Sequence, residues 1–120
     1  MAKTMSLVGH AMGDDCAVVE MPFNEVFTNS RGDVSGGAIT TVLDLSLAAA
    51  VRSHDPEGFS VSTVELSTHF LAPCTSPFKV HARCTRRGKR ICFAQGEARD
   101  DEDRVVATAS GVFVLVPRLG

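Results

Sequence analysis

Between residues 34 and 51 the chain reads VSGGAITTVLDLSLAAAV, an apolar run with helical periodicity that opens on two glycines. Ser35 is the expected N-cap, and "SHDPEG" with Pro56 and Gly58 ends the helix near Ser53. Downstream the period changes to two. "FSVSTVELSTHFLAP" (59–73) predicts a long strand with Val64, Leu66 and Phe70 on one side and Thr63, Glu65, Ser67 and His69 on the other. "PFKVHARCTRR" (77–87) alternates Phe78, Val80, Ala82 and Cys84 against Lys79, His81, Arg83 and Thr85. "RICFAQGEARD" (90–100) is the next strand, and "RVVATASGVFVLVP" (104–117), apolar on both faces, is a central or interfacial strand. Upstream, "CAVVEMPF" (16–23) and "NEVFTN" (24–29) read as two short strands, and residues 1–15 as a loose lead-in to one domain over 16–120. The expected class is α+β: an antiparallel sheet with four long strands in meander and one long central helix laid on its concave face.

The 120 residues suit one domain, and 44% hydrophobic with 22% charged residues excludes a disordered chain. Net charge is −2, and Trp and Tyr are absent, so neither an electrostatic field nor stacking aromatics recommend nucleic acid. The apolar run is too short and too polar for a membrane span. Cys16, Cys74, Cys84 and Cys92 lack CxxC spacing, and the first residues do not read as a signal peptide. Reduced thiols in a cytoplasmic protein are therefore expected. The RGD triplet at 31–33 is read as a chance match. His10, His54, His69 and His81 show no shared metal spacing, although His69 and His81 fall on neighbouring predicted strands.

One charge interrupts the apolar helix: Asp44. A helix start presents unpaired N–H groups, and a glycine there lets a carbonyl approach closely, which is how a backbone oxyanion site is made. Asp44 lies about 12 Å further along the axis than Gly36, by the helical rise. One chain cannot bring both to one atom. Two chains with antiparallel helices can. The alternative is a carboxylate satisfied locally by Thr40 and Thr41.

The stretch "NSRGDVSGGAITTVLD" (29–44), followed by "STVELSTHFLAP", "RRGKR" and "VVATASGVFVLV", resembles the hotdog-fold acyl-CoA thioesterases, in the branch of the phenylacetate-pathway and small acyl-CoA thioesterases. The resemblance covers about Asn24 to Val116. It implies the hotdog fold, and a homodimer or homotetramer with intersubunit sites. It further implies hydrolysis of a small, medium-chain or aryl acyl-CoA with no metal or cofactor. By position, Gly36 would polarise the thioester carbonyl, Asn29 would help hold that carbonyl or the water, and Asp44 would be base or nucleophile. Thr63 would position the water. Ser35 stands where the family has His, and Ser35 and Gly37 would line the substrate. Arg86, Arg87, Lys89 and Arg90 form a basic turn suited to the phosphates of coenzyme A. Two other readings share the fold: a non-catalytic acyl-CoA sensor, and a hydratase, which the missing His disfavours.

Overall fold

The apolar run folds as helix α2 (Gly36–Arg52), one of eight regular elements in a computed structural model that describes residues 2–118. Before it come a single-turn helix α1 (Ala2–Met5) and strands β1 (Val8–Gly13) and β2 (Cys16–Met21). After it come β3 (Phe59–Phe70), β4 (Phe78–Arg87), β5 (Ile91–Asp100) and β6 (Val105–Pro117). Ser35 caps α2, its hydroxyl oxygen accepting from the Ala38 N–H at 3.2 Å. At the other end the Ser53 N–H and hydroxyl both donate to the Ala50 carbonyl. The helix buries Ala38, Ile39, Val42, Leu43, Ser46, Leu47, Ala50 and Val51, the spacing that puts side chains on one face. The buried Ser46 hydroxyl is satisfied by the Val42 carbonyl at 2.6 Å.

The six strands make one antiparallel sheet in the order β1-β2-β4-β5-β6-β3, and α2 touches every one of them. This is the hotdog fold: one long helix held against a single sheet. Phe78, Val80, Ala82, Cys92, Ala94, Ala98, Ala107, Phe113 and Leu115 supply the sheet's side of the core. At Gly96 a Cβ would lie 2.8 Å from Leu47 Cδ1 and 2.9 Å from the His81 carbonyl oxygen. Glycine there lets the helix close on the sheet. No helix among the described residues is long and apolar enough to cross a membrane.

Several expectations are corrected. Over the described residues 2–15 the lead-in is not loose: β1 pairs with β2, and Met5 is buried in the core. "NEVFTN" is not a strand. Glu25–Phe27 form a 3₁₀ turn, because the Asn24 side chain accepts from the Val26 N–H and caps it. The four long strands are not a simple meander. β4, β5 and β6 are, but β3 pairs with β6 at the far edge. The segment 71–77, stiffened by Pro73 and Pro77, carries the chain from that edge to β4 and on the way accepts the Val34 N–H at the Cys74 carbonyl, 2.8 Å. As expected of a helix laid on one face of a sheet, α2 keeps an open side. Gly36, Gly37 and Leu45 are exposed, and Thr40, Thr41, Asp44, Ala48 and Ala49 are half-buried.

Candidate active site

The start of α2 is built by a tight loop. The Asn29 side-chain oxygen accepts from the N–H groups of Arg31 (2.9 Å) and Asp33 (3.2 Å). The Asn29 N–H donates to the Asp33 carbonyl, and Gly32 takes the positive φ of 83° that closes the turn. Asn29 therefore spends its oxygen on the loop, while its Nδ2 has no hydrogen-bond partner among the described residues and remains free to donate. Asn29 and Gly36 line one cleft of about 420 Å³, together with Val34, Ile39, Phe70 and Cys74. The Gly36 and Gly37 N–H groups are among the orphan donors of the first helical turn. Around Gly37 a Cβ would meet nothing within 4 Å, so a ligand has room to approach.

The second cluster lies two turns on. Asp44 is half-buried on the open side of α2, and Thr63 Oγ1 donates to its Oδ1 at 2.8 Å. The alternative of local pairing is not taken up by Thr41, which donates to the Gly37 carbonyl instead, 2.8 Å. Thr63 reaches the helix because β3 carries a bulge between Thr63 and Glu65. The extra residue lets both Thr63 and Leu66 face inward, and leaves Val64, expected inside, 61% exposed. Asn29 and Gly36 are thus gathered at the start of α2, and Asp44 and Thr63 beside its middle.

The basic turn divides. Arg87 is not a free cation: its Nε and Nη2 grip Asp15 at 3.1 and 2.6 Å, tying β4 to the β1–β2 turn. A bulge between Cys84 and Arg86 turns Arg87 to the same face as buried Cys92. Arg86, Lys89 and Arg90 are exposed and have no ion-pair partner among the described residues. The cross-strand row Thr63–Phe113–Cys92–Arg87 sets this turn about 14 Å from Thr63, three strand spacings away. Ser35, where the resemblance would place His, accepts the Ala38 N–H at the helix start.

The two histidines expected on neighbouring strands do not meet. They end the row His81–Glu97–Thr108–His69 on the outer face, with β5 and β6 between them. All four cysteines are free. Burial pushes the Cys74 thiol above its usual pKa, and its Sγ donates to the Ser76 carbonyl, which marks a packing role. Phe70 was legible only as an aromatic ending its strand, and its position against Gly36 depends on where the strand falls.

The family model described as "Thioesterase superfamily" matches residues 31–107. The chain belongs to the thioesterase superfamily. A Pseudomonas aeruginosa protein provisionally named an esterase is 33% identical over 100 residues, covering 82% of this chain and 74% of its own. A Saccharolobus solfataricus protein with the same provisional name is 34% identical over 94 residues, covering 78% of this chain and 62% of its own. Among solved structures, a phenylacetic acid degradation-related protein from Ralstonia eutropha JMP134, provisionally a thioesterase, superposes with a TM-score of 0.87 at 30% identity, covering 94% of this chain and 87% of its own. The PaaI protein of E. coli, from the phenylacetic acid degradation operon, shares the fold at a TM-score of 0.86 and 22% identity, covering 99% and 83%.

Proposed function

We propose that this member of the superfamily hydrolyses the thioester of a small, medium-chain or aryl acyl-CoA at a site assembled from two copies of the chain. The observation that carries the reading is the pair of half-sites on α2: unpaired donors at Asn29 and Gly36, and a carboxylate at Asp44 held by Thr63. Their separation of about 12 Å along the axis excludes one chain acting alone on one carbonyl. A partner is invited by β3, whose outer edge is unpaired over 12 residues with Val64 exposed. Edge-to-edge pairing about a two-fold axis sets the two helices antiparallel and turns each Asp44 toward the other copy's Gly36. Exposed Ile91, Phe93 and Val116 on the outer face support a further pairing of dimers into a tetramer. Free thiols in all four cysteines fit a reducing compartment such as the cytoplasm.

The chemistry follows from the parts. Asp44 takes a proton from water as the water oxygen bonds to the thioester carbon. Charge builds on the carbonyl oxygen, where the Gly36 N–H and Asn29 Nδ2 of the partner copy donate to it. The tetrahedral adduct collapses, the C–S bond breaks, and the proton on Asp44 passes to the departing thiolate. Direct attack by Asp44, giving a mixed anhydride that water then opens, uses the same groups. Arg86, Lys89 and Arg90 suit the phosphates of coenzyme A, and their distance from Thr63 matches the reach of a pantetheine arm.

A second reading, an acyl-CoA sensor without catalysis, draws on the capped Ser35 where the family has His. A panel of acyl-CoAs with a thiol-detecting dye separates them. Thiol release by the parent, reduced at least about a hundredfold in Asp44→Asn, supports the enzyme. Binding without thiol release supports the sensor.

A further inference from the structure

Phe70 ends β3 on the helix side of the sheet, opposite buried Ala107. Its ring lies on Gly36: a Cβ built there would be 3.2 Å from Phe70 Cζ and 3.4 Å from Cε1. The three nearest atoms to that point all belong to the Phe70 ring. The ring is nevertheless 54% exposed, so it stands at the mouth of the cleft and does not belong to the packed core. One side of the cleft is apolar, lined by Val34, Ile39, Leu71, Ala72, Pro73 and Cys74, and Asn29, Arg31 and Asp33 line the rest. A volume of about 420 Å³ lies in the range of small-ligand pockets.

The direction of the substrate decides what enters this cleft. On the acid-bearing chain the free cations Arg86, Lys89 and Arg90 stand around the β4–β5 turn, next to Arg87, where the sheet row that starts at Thr63 ends. A phosphate end drawn there leaves the acyl end to run the other way from the carbonyl, into the cleft beside the partner copy's Gly36. That cleft has one apolar wall, from Val34, Ile39 and residues 71–74, and one aromatic ring at its mouth. We propose that Phe70 determines acyl selectivity, forming the wall of an acyl pocket that opens at Gly36 and favouring aryl and short acyl groups over long chains. The inference rests on the proposed thioesterase reading and names the substrate class of that site. An aryl group gains an offset or edge-to-face contact with the ring. A long chain must displace the ring, which blocks the pocket's exit along α2.

The test compares kcat/KM for phenylacetyl-CoA and dodecanoyl-CoA in the parent, Phe70→Leu and Phe70→Ala, with molecular mass measured for each. Phe70→Ala should move the aryl-to-long-chain ratio about tenfold or more toward the long chain, with Phe70→Leu between, at unchanged mass. Equal loss on both substrates, an unchanged ratio, or a shift that accompanies a fall in mass would overturn the assignment of Phe70 while leaving thioester hydrolysis in place. A parent that hydrolyses neither substrate nor any other acyl-CoA overturns the functional reading itself, and this inference with it.

Discussion

Thr63 Oγ1 donates to Asp44 Oδ1 across the gap between β3 and α2, at 2.8 Å. The bond joins an edge strand to the helix and fixes one carboxylate oxygen, while Oδ2 has no hydrogen-bond partner among the described residues. Removing it should leave binding alone and disorder the base. Thr63→Val is expected to lower kcat by about 10- to 100-fold with KM nearly constant, and Thr63→Ser to keep most of the rate. Steady-state kinetics on one good acyl-CoA measures both. Equal rates in Thr63→Val and Thr63→Ser would remove the hydroxyl from the account.

The basic turn should separate into two roles. Arg86→Ala, Lys89→Ala and Arg90→Ala combined should raise KM for an acyl-CoA about tenfold at low ionic strength, and less in salt. The matching N-acetylcysteamine thioester, which lacks the phosphates, should be unaffected. Arg87→Met should leave KM unchanged and lower stability by about 1 kcal/mol, since Arg87 is tied to Asp15. A rise in KM from Arg87→Met alone would return that residue to the substrate.

Acid stability should depend on Asp100. Its carboxylate accepts from the Arg104 N–H (2.9 Å), the Arg104 Nε (2.9 Å) and the Glu102 N–H (3.0 Å). These bonds, the Arg104 backbone N–H first among them, hold its pKa below the usual carboxylate value against the opposing effect of burial. A folded-state value below the unfolded one gives stability that is present above about pH 4 and is lost as pH falls through the folded value. Thermal unfolding followed downward from about pH 5 should therefore show a steeper fall in the parent than in Asp100→Asn. Parallel curves would assign the acid sensitivity elsewhere.

Helix α2 was legible almost to the residue, because its cap, its apolar stripe and its Pro–Gly stop are all local signals. So were the alternating faces of β4, whose pleat runs unbroken from Phe78 to Ala82. The inward turn of Thr63 was not. A bulge inverts the period-two pattern midway along β3, and the residues around it carry no local mark of it. The crossing of β3 to the far edge was hidden for a different reason. Short Pro-rich connections resemble hairpin turns in sequence, and the choice of neighbour rests on the whole sheet. Arg87 looked like its neighbours in the basic turn, and only the long-range pairing with Asp15 distinguishes it. Asn29, Gly36, Asp44 and Thr63 were singled out by resemblance, and that Asn29 lies with Gly36 and Asp44 with Thr63 comes from the fold.

The most direct measurement is a hybrid of two defective chains. Asn29→Asp keeps the loop-closing oxygen but removes the Nδ2 donor, and Asp44→Asn removes the base. Co-expressed with different tags and purified as the mixed dimer, the two chains regenerate one intact site from Asp44 of one and Asn29 of the other. The hybrid should recover about half of the parent rate, while each variant alone stays at least about a hundredfold down. A hybrid as inactive as its two components would place both half-sites within one chain and contradict the account.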